Sequence, residues 1–143
     1  MKTIDKLNKL LSDIQLFYMN TRGYHWNIKG DKFFVLHAKF EELYNDLAEK
    51  ADEVAERILM LGGTPVHAFS KYIELSDIKE SEDKTTAEVT VSEVVSGLEI
   101  LLKKERDILE SSSEANDEGT VALMSDYISS QEKTLWMYKT YLS

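Results

Sequence analysis

The chain has 143 residues, a formal net charge of −9, 43% hydrophobic and 30% charged residues, one proline and no cysteine. A chain of this length buries a core of its own, so a single domain over residues 1–143 is expected, without disulfides or thiolate metal sites. Its acidic balance opposes the phosphate neutralisation on which DNA binding rests. No apolar run approaches the ~18 residues of a membrane span, and the charged start MKTIDKLNKLL lacks a signal-peptide core, which predicts a cytoplasmic protein.

In chain order, Ile4, Leu7, Leu11, Ile14 and Tyr18 recur at threes and fours, predicting a first helix from a Thr3 cap to about Ile28, stopped by Gly30. Lys2, Lys6 and Lys9 share one face of it, the best basic patch in the chain, but Asp5 and Asp13 interrupt it. Leu36, Phe40, Leu43, Leu47, Ala51, Val54, Ile58 and Leu61 predict a second helix, ended by Gly62-Gly63-Thr64-Pro65. Ser70 to Leu75 forms a short helix and KESEDKTT a polar loop. The run Thr90-Val-Ser-Glu93 reads as a capping box, opening a third long helix from about Val91 to Ser112. Asn116-Asp-Glu-Gly opens a fourth, with Val121, Met124, Ile128, Leu135 and Tyr138 as its stripe.

Long helices with short first and last connections and a long middle one predict an all-α four-helix bundle. A link of that length runs the height of the bundle, giving the up-down-down-up, ferritin-like topology with a short helix in the crossover.

The second helix carries a polar set, His37, Glu41, Asp52 and Glu56. At about 100° per residue all four fall within a sector of about 100°, partly overlapping the apolar stripe. Along the axis, however, His37 and Asp52 are about 22 Å apart, too far for one ion with bonds of about 2 Å. A symmetric dimer with antiparallel copies of this helix would bring His37 and Glu41 of one chain to Asp52 and Glu56 of the other, creating identical sites in pairs. His25, before the Gly30 turn, reaches the His37 end. Imidazoles with carboxylates suit iron, manganese or zinc and disfavour copper(I). The chain has no Glu-x-x-His, so the usual within-bundle di-iron signature is missing. His67, beside Pro65, reads as a surface residue, and Trp26 and Trp136 as core or interface aromatics.

The set His25-Trp26-Asn-Ile-Lys-Gly30, Phe34-x-x-His37-x-x-x-Glu41 and Asp52-x-x-Ala55-Glu56-Arg57, with the Gly-Gly-x-Pro turn and Leu135-Trp136-Met137, resembles the Dps family of miniferritins (DNA-binding protein from starved cells). The similarity runs the length of the chain. It implies a hollow dodecamer that oxidises ferrous iron, preferably with hydrogen peroxide, and stores ferric oxyhydroxide, protecting the cell from oxidative stress. The implied ferroxidase centre, mononuclear or di-iron, takes His25, His37 and Glu41 from one subunit and Asp52 and Glu56 from its partner. Trp26 and Trp136 would absorb stray oxidising equivalents, and Asp117 and Glu118 would line a cation pore. Glu41 replaces the family's usual aspartate, Ala122 interrupts the acidic pore lining, and the lysine-rich tail of DNA-binding members is absent, so DNA binding is not expected. The competing readings are a nucleoid-compacting DNA binder and an assembly whose interface holds a structural metal such as zinc.

Overall fold

A computed structural model describes residues 1–143 as five helices and no strand. These are α1 (Thr3–Asn27), α2 (Phe33–Met60), the short α3 (Phe69–Leu75), α4 (Ala87–Glu114) and α5 (Glu118–Leu142). Side-chain pairs fix their directions. Tyr18 meets Tyr44 and His25 meets His37 across α1 and α2, while Arg106 pairs with Glu132 and Lys139 with Glu99 across α4 and α5, so each hairpin is antiparallel. Lys6 pairs with Asp107, whereas Tyr24, near the other end of α1, bonds Glu93, so α1 and α4 are antiparallel too. The order is therefore up-down-down-up, as the loop lengths predicted. No helix is long and apolar enough to cross a membrane.

The buried stripe of α2 is Leu36, Phe40, Leu43, Leu47, Ala51, Val54 and Ile58, joined unexpectedly by Lys50. α1 departs further from its one-stripe pattern. Leu10, Ser12, Asp13, Leu16, Phe17, Asn20 and Thr21 are buried as well, because the helix is covered by α2, α4 and the crossover together.

Two predicted caps are corrected. Lys2, not Thr3, occupies the cap position of α1 and makes no side-chain capping bond. Helix α4 begins at Ala87 rather than Val91, capped by Thr86, whose hydroxyl accepts the Val89 amide at 3.3 Å. Thr90 lies inside the helix and donates back to the Thr86 carbonyl at 2.8 Å. Glu93 does not cap: it accepts from the Tyr24 and Ser81 hydroxyls, both at 2.5 Å. A tertiary partner took the carboxylate that the local pattern assigned to the helix end.

Polar side chains of α1 hold the crossover in place by receiving its backbone. Asn8 bonds Thr64 O and Val66 N, and Asn20 bonds Lys79 O and Ser81 N. Asp13, fully buried, accepts from the Ser76 hydroxyl and the Asp77 and Ile78 amides, and is neutralised by Lys104. Of the basic patch, Lys6 is tied to Asp107 at 3.0 Å, while Lys2 is exposed.

Candidate metal centre

The end of α1 and the start of α2 face each other across a turn in which Gly30 takes φ 104°, a left-handed conformation that a side chain would strain. This turn sets His25 and His37 side by side, their rings 3.8 Å apart and 13° from parallel. His25 is buried and His37 half-buried.

Each imidazole is held by the other residue's backbone. His25 Nδ1 lies 2.6 Å from the His37 carbonyl oxygen, and His37 Nδ1 lies 2.7 Å from the His25 carbonyl oxygen. A carbonyl only accepts, so both Nδ1 atoms carry and donate the hydrogen. In the neutral rings that leaves each Nε2 with its lone pair free, the tautomer a metal requires. The Nε2 of His25 stands 3.6 Å from Glu41 Oε1, beyond an ordinary hydrogen bond, and the Glu41 side chain is 54% exposed. Phe33 stacks on His37 at 4.8 Å and 21°, and Tyr44 meets the His25 ring edge-on at 5.3 Å.

Asp52 and Glu56 stand exposed farther down α2, without a hydrogen-bond or ion-pair partner in the chain. The expected overlap of the carboxylates with the buried stripe does not occur: Glu41, Asp52 and Glu56 all face outward, on the flank of the packed face. No group of three or more histidine and carboxylate side chains converges closely enough in one chain to hold an ion. What the chain contains is two stacked imidazoles with the Glu41 carboxylate 3.6 Å from one of them, and a separate pair of outward carboxylates on the same helix. The donors are of the nitrogen and oxygen types that first-row divalent ions take.

Around the two imidazoles lies an aromatic group that sequence reading passed over. The Arg22 guanidinium sits 5.0 Å from the Trp26 ring, 5.6 Å from Tyr44 and 5.9 Å from Tyr18, and donates to the Tyr18 hydroxyl at 3.1 Å. The signal was present: Tyr18, Arg22 and Trp26 recur every four residues, and so do Phe33 and His37. Trp136 is elsewhere, in the groove between α4 and α5 with Arg106, Glu132 and Lys139. His67 is exposed, with Nδ1 at 3.0 Å from the Pro65 carbonyl.

At the start of α5, Asp117 is turned inward rather than free. It caps the helix through the Thr120 amide and hydroxyl and accepts from Arg57 at 2.7 Å. Burial alone would raise its carboxyl, but Thr120 and then Arg57 outweigh it and hold the group below the usual carboxylate range. Glu118 and Ala122 are exposed beside it, so Glu118 alone of the two expected pore carboxylates is unengaged.

Comparison with known proteins gives the family and the fold. Residues 4–143 match the family model of the ferritin-like domain. The chain is 50% identical over 135 residues to the DNA protection during starvation protein of Porphyromonas gingivalis, covering 94% of this chain and 85% of that one. It is 37% identical over 142 residues to DNA protection during starvation protein 2 of Bacillus anthracis, covering 99% and 97%. The crystal structure of the Dps protein of Vibrio cholerae O1, described as one of a broad superfamily of ferritin-like diiron-carboxylate proteins, superposes with a TM-score of 0.98. That match has 54% identity and covers 99% of this chain and 89% of that one.

Proposed function

Because the chain belongs to the Dps family of ferritin-like proteins, we propose that it binds ferrous iron as a substrate and oxidises it at a centre shared between two subunits. The observation that carries this reading is the reciprocal pair of bonds between His25 and His37. It commits both Nδ1 protons to carbonyls and keeps both Nε2 lone pairs available beside Glu41. Asp52 and Glu56 of a second copy, brought up by an antiparallel pairing of α2, complete the ligand set.

Exposed apolar side chains stand at both ends of α2, as such a pairing needs. Phe34 is 83% exposed near the histidines, and Met60 is 72% exposed near the carboxylates, with Val35 and Leu59 beside them. Burying such residues against a second copy is favourable by the ordinary hydrophobic effect. The assembly that follows is a homo-oligomer, read through the family as a hollow dodecamer in the cytoplasm.

Hydrogen peroxide is the proposed oxidant. Two ferrous ions each give up one electron, the O–O bond breaks, and the reduced oxygens end as water or as hydroxide and oxide of the ferric product. No hydroxyl radical is released, and the ferric oxyhydroxide is stored in the cavity. The protein's part is to hold and orient the ions with His25, His37 and Glu41 from one side and Asp52 and Glu56 from the other. DNA compaction has no support in the charge of −9 or in the pairing of Lys6.

The test is ferrous oxidation by anaerobic apoprotein, followed by absorbance after adding peroxide or dioxygen. Wild type should oxidise iron rapidly with peroxide. His37→Ala and Asp52→Ala should each lose that rate while the assembly survives. Mutants as fast as wild type would remove α2 from the chemistry.

A further inference from the structure

Phe33 is the first residue of α2, and its ring lies parallel to the His37 imidazole one helical turn later, 4.8 Å away at 21°. The opposite face of that imidazole is covered by His25 at 3.8 Å. His37 is thus held between two flat rings. Tyr44 closes the far side of the group by meeting His25 edge-on.

The clamp has a physical task. The last torsion of a histidine side chain is broad and soft, so the ring plane is set by its surroundings. The hydrogen bond from Nδ1 fixes one ring atom but leaves the ring able to tilt about it. His37 is only half-buried, and the α2 start has no side-chain cap, which leaves this turn prone to fraying. Phe33 is anchored where the backbone is weakest: its amide bonds the Gly30 carbonyl at 3.2 Å, and its ring is packed against the core.

We propose that Phe33 is a positioning residue of the half-site, pressing the His37 imidazole flat against His25 so that both Nε2 atoms stay presented to the same divalent ion. The inference rests on the function proposed above. It adds a residue without any donor atom to a site otherwise described by its ligands.

Cobalt(II), which is not turned over without an oxidant, is the probe. The anaerobic apoprotein is titrated with Co(II), reading the visible d–d band and the dissociation constant in the intact assembly. Phe33→Leu and Phe33→Met keep apolar bulk but remove the flat face, and each should weaken Co(II) binding about tenfold with unchanged sedimentation and melting. Phe33→Tyr restores the flat ring and should restore affinity and band shape. In ferrous oxidation the Leu and Met variants should raise KM more than they lower kcat. Co(II) binding by Phe33→Leu or Phe33→Met equal to wild type overturns the clamp, as does a Tyr variant no better than Leu. If wild type itself binds no Co(II), the shared metal centre fails, and the clamp falls with it.

Discussion

Glu105 of α4 stands against Gln131 of α5 in the middle of the bundle, 0% and 2% exposed, and none of their four side-chain polar atoms is in hydrogen-bond geometry with a partner. Nearby, Lys50 of α2 is occupied by Asp46 and lies 5.2 Å from the Tyr127 ring, whose hydroxyl donates to Glu53 at 2.8 Å. Burial dominates at Glu105. It pushes the carboxyl from 4.5 up to about 8, against the smaller opposing pull of Gln131, Lys50 and Arg106, while Asp46 adds to the rise.

Between 4.5 and about 8 the folded chain keeps a proton that the unfolded chain releases, so stability due to the neutral acid is full at the low end and is lost as pH rises through about 8. Glu105→Gln, always neutral, should melt like wild type near about pH 4.5 and at least ~5 °C higher near about pH 9. Melting curves of both proteins across that range check this. Parallel curves would mean that Glu105 is ionised in the fold.

Asp13 and Lys104 anchor the crossover. Asp13 is fully buried and also receives the Ser76 hydroxyl and the Asp77 and Ile78 amides. Asp13→Ala leaves the Asp77 and Ile78 amides without their buried acceptor, while Lys104 keeps its pair with Asp77 at 2.8 Å, so the cost is about 1–3 kcal/mol. Denaturant unfolding measures the loss. Hydrogen exchange should show the residues around Ser76 to Ile78 opening before the long helices.

Gly97 lets α4 approach α1. A Cβ there would meet the Phe17 ring at 2.7 Å, and that ring is 2% exposed with little room to yield. Gly97→Ala should destabilise by about 1–3 kcal/mol despite the better helix propensity of alanine. Adding Phe17→Leu should recover part of the loss, so that the double mutant is less damaged than the sum of the singles. Additive losses would contradict the contact.

Gly119 has a similar relation to Arg57. A Cβ there would stand 2.5 Å from the guanidinium that bonds Asp117 and Thr120. Gly119→Ala should displace Arg57 from Asp117 and raise the carboxyl's titration part of the way, because the Thr120 amide and hydroxyl still hold it. Carbon-13 NMR of the Asp117 carboxyl reads that shift directly.

Much of this was legible in the sequence. The stripe Leu36, Phe40, Leu43, Leu47, Val54 and Ile58 fixed the packed face of α2, because on that helix apolar period and burial coincide. The fourfold spacing of His37 and Glu41 placed both beside His25 after one turn. What escaped were polar residues whose partners are distant in sequence. Asn8, Asp13 and Asn20 read as ordinary surface positions of α1, yet they face the crossover. Glu93 read as half of a local cap and instead bonds Tyr24, far away in the chain. Periodicity shows which face is buried, but it does not tell which buried polar group will find a partner. That one chain does not bring His37 and Asp52 together was legible for a different reason: the rise of a helix is fixed, and both residues lie on α2.

The central claim is that each centre is built from two chains, and subunit mixing tests it most directly. His37→Ala and Asp52→Ala proteins are unfolded together, refolded into mixed assemblies, and assayed for ferrous oxidation by peroxide. In a mixed pair, one centre carries both defects and the other carries neither. Random mixing should therefore restore about a quarter of the wild-type centres, and of the rate, although each variant alone is inactive. Mixed assemblies that form but stay as inactive as their parents would contradict a centre shared between subunits.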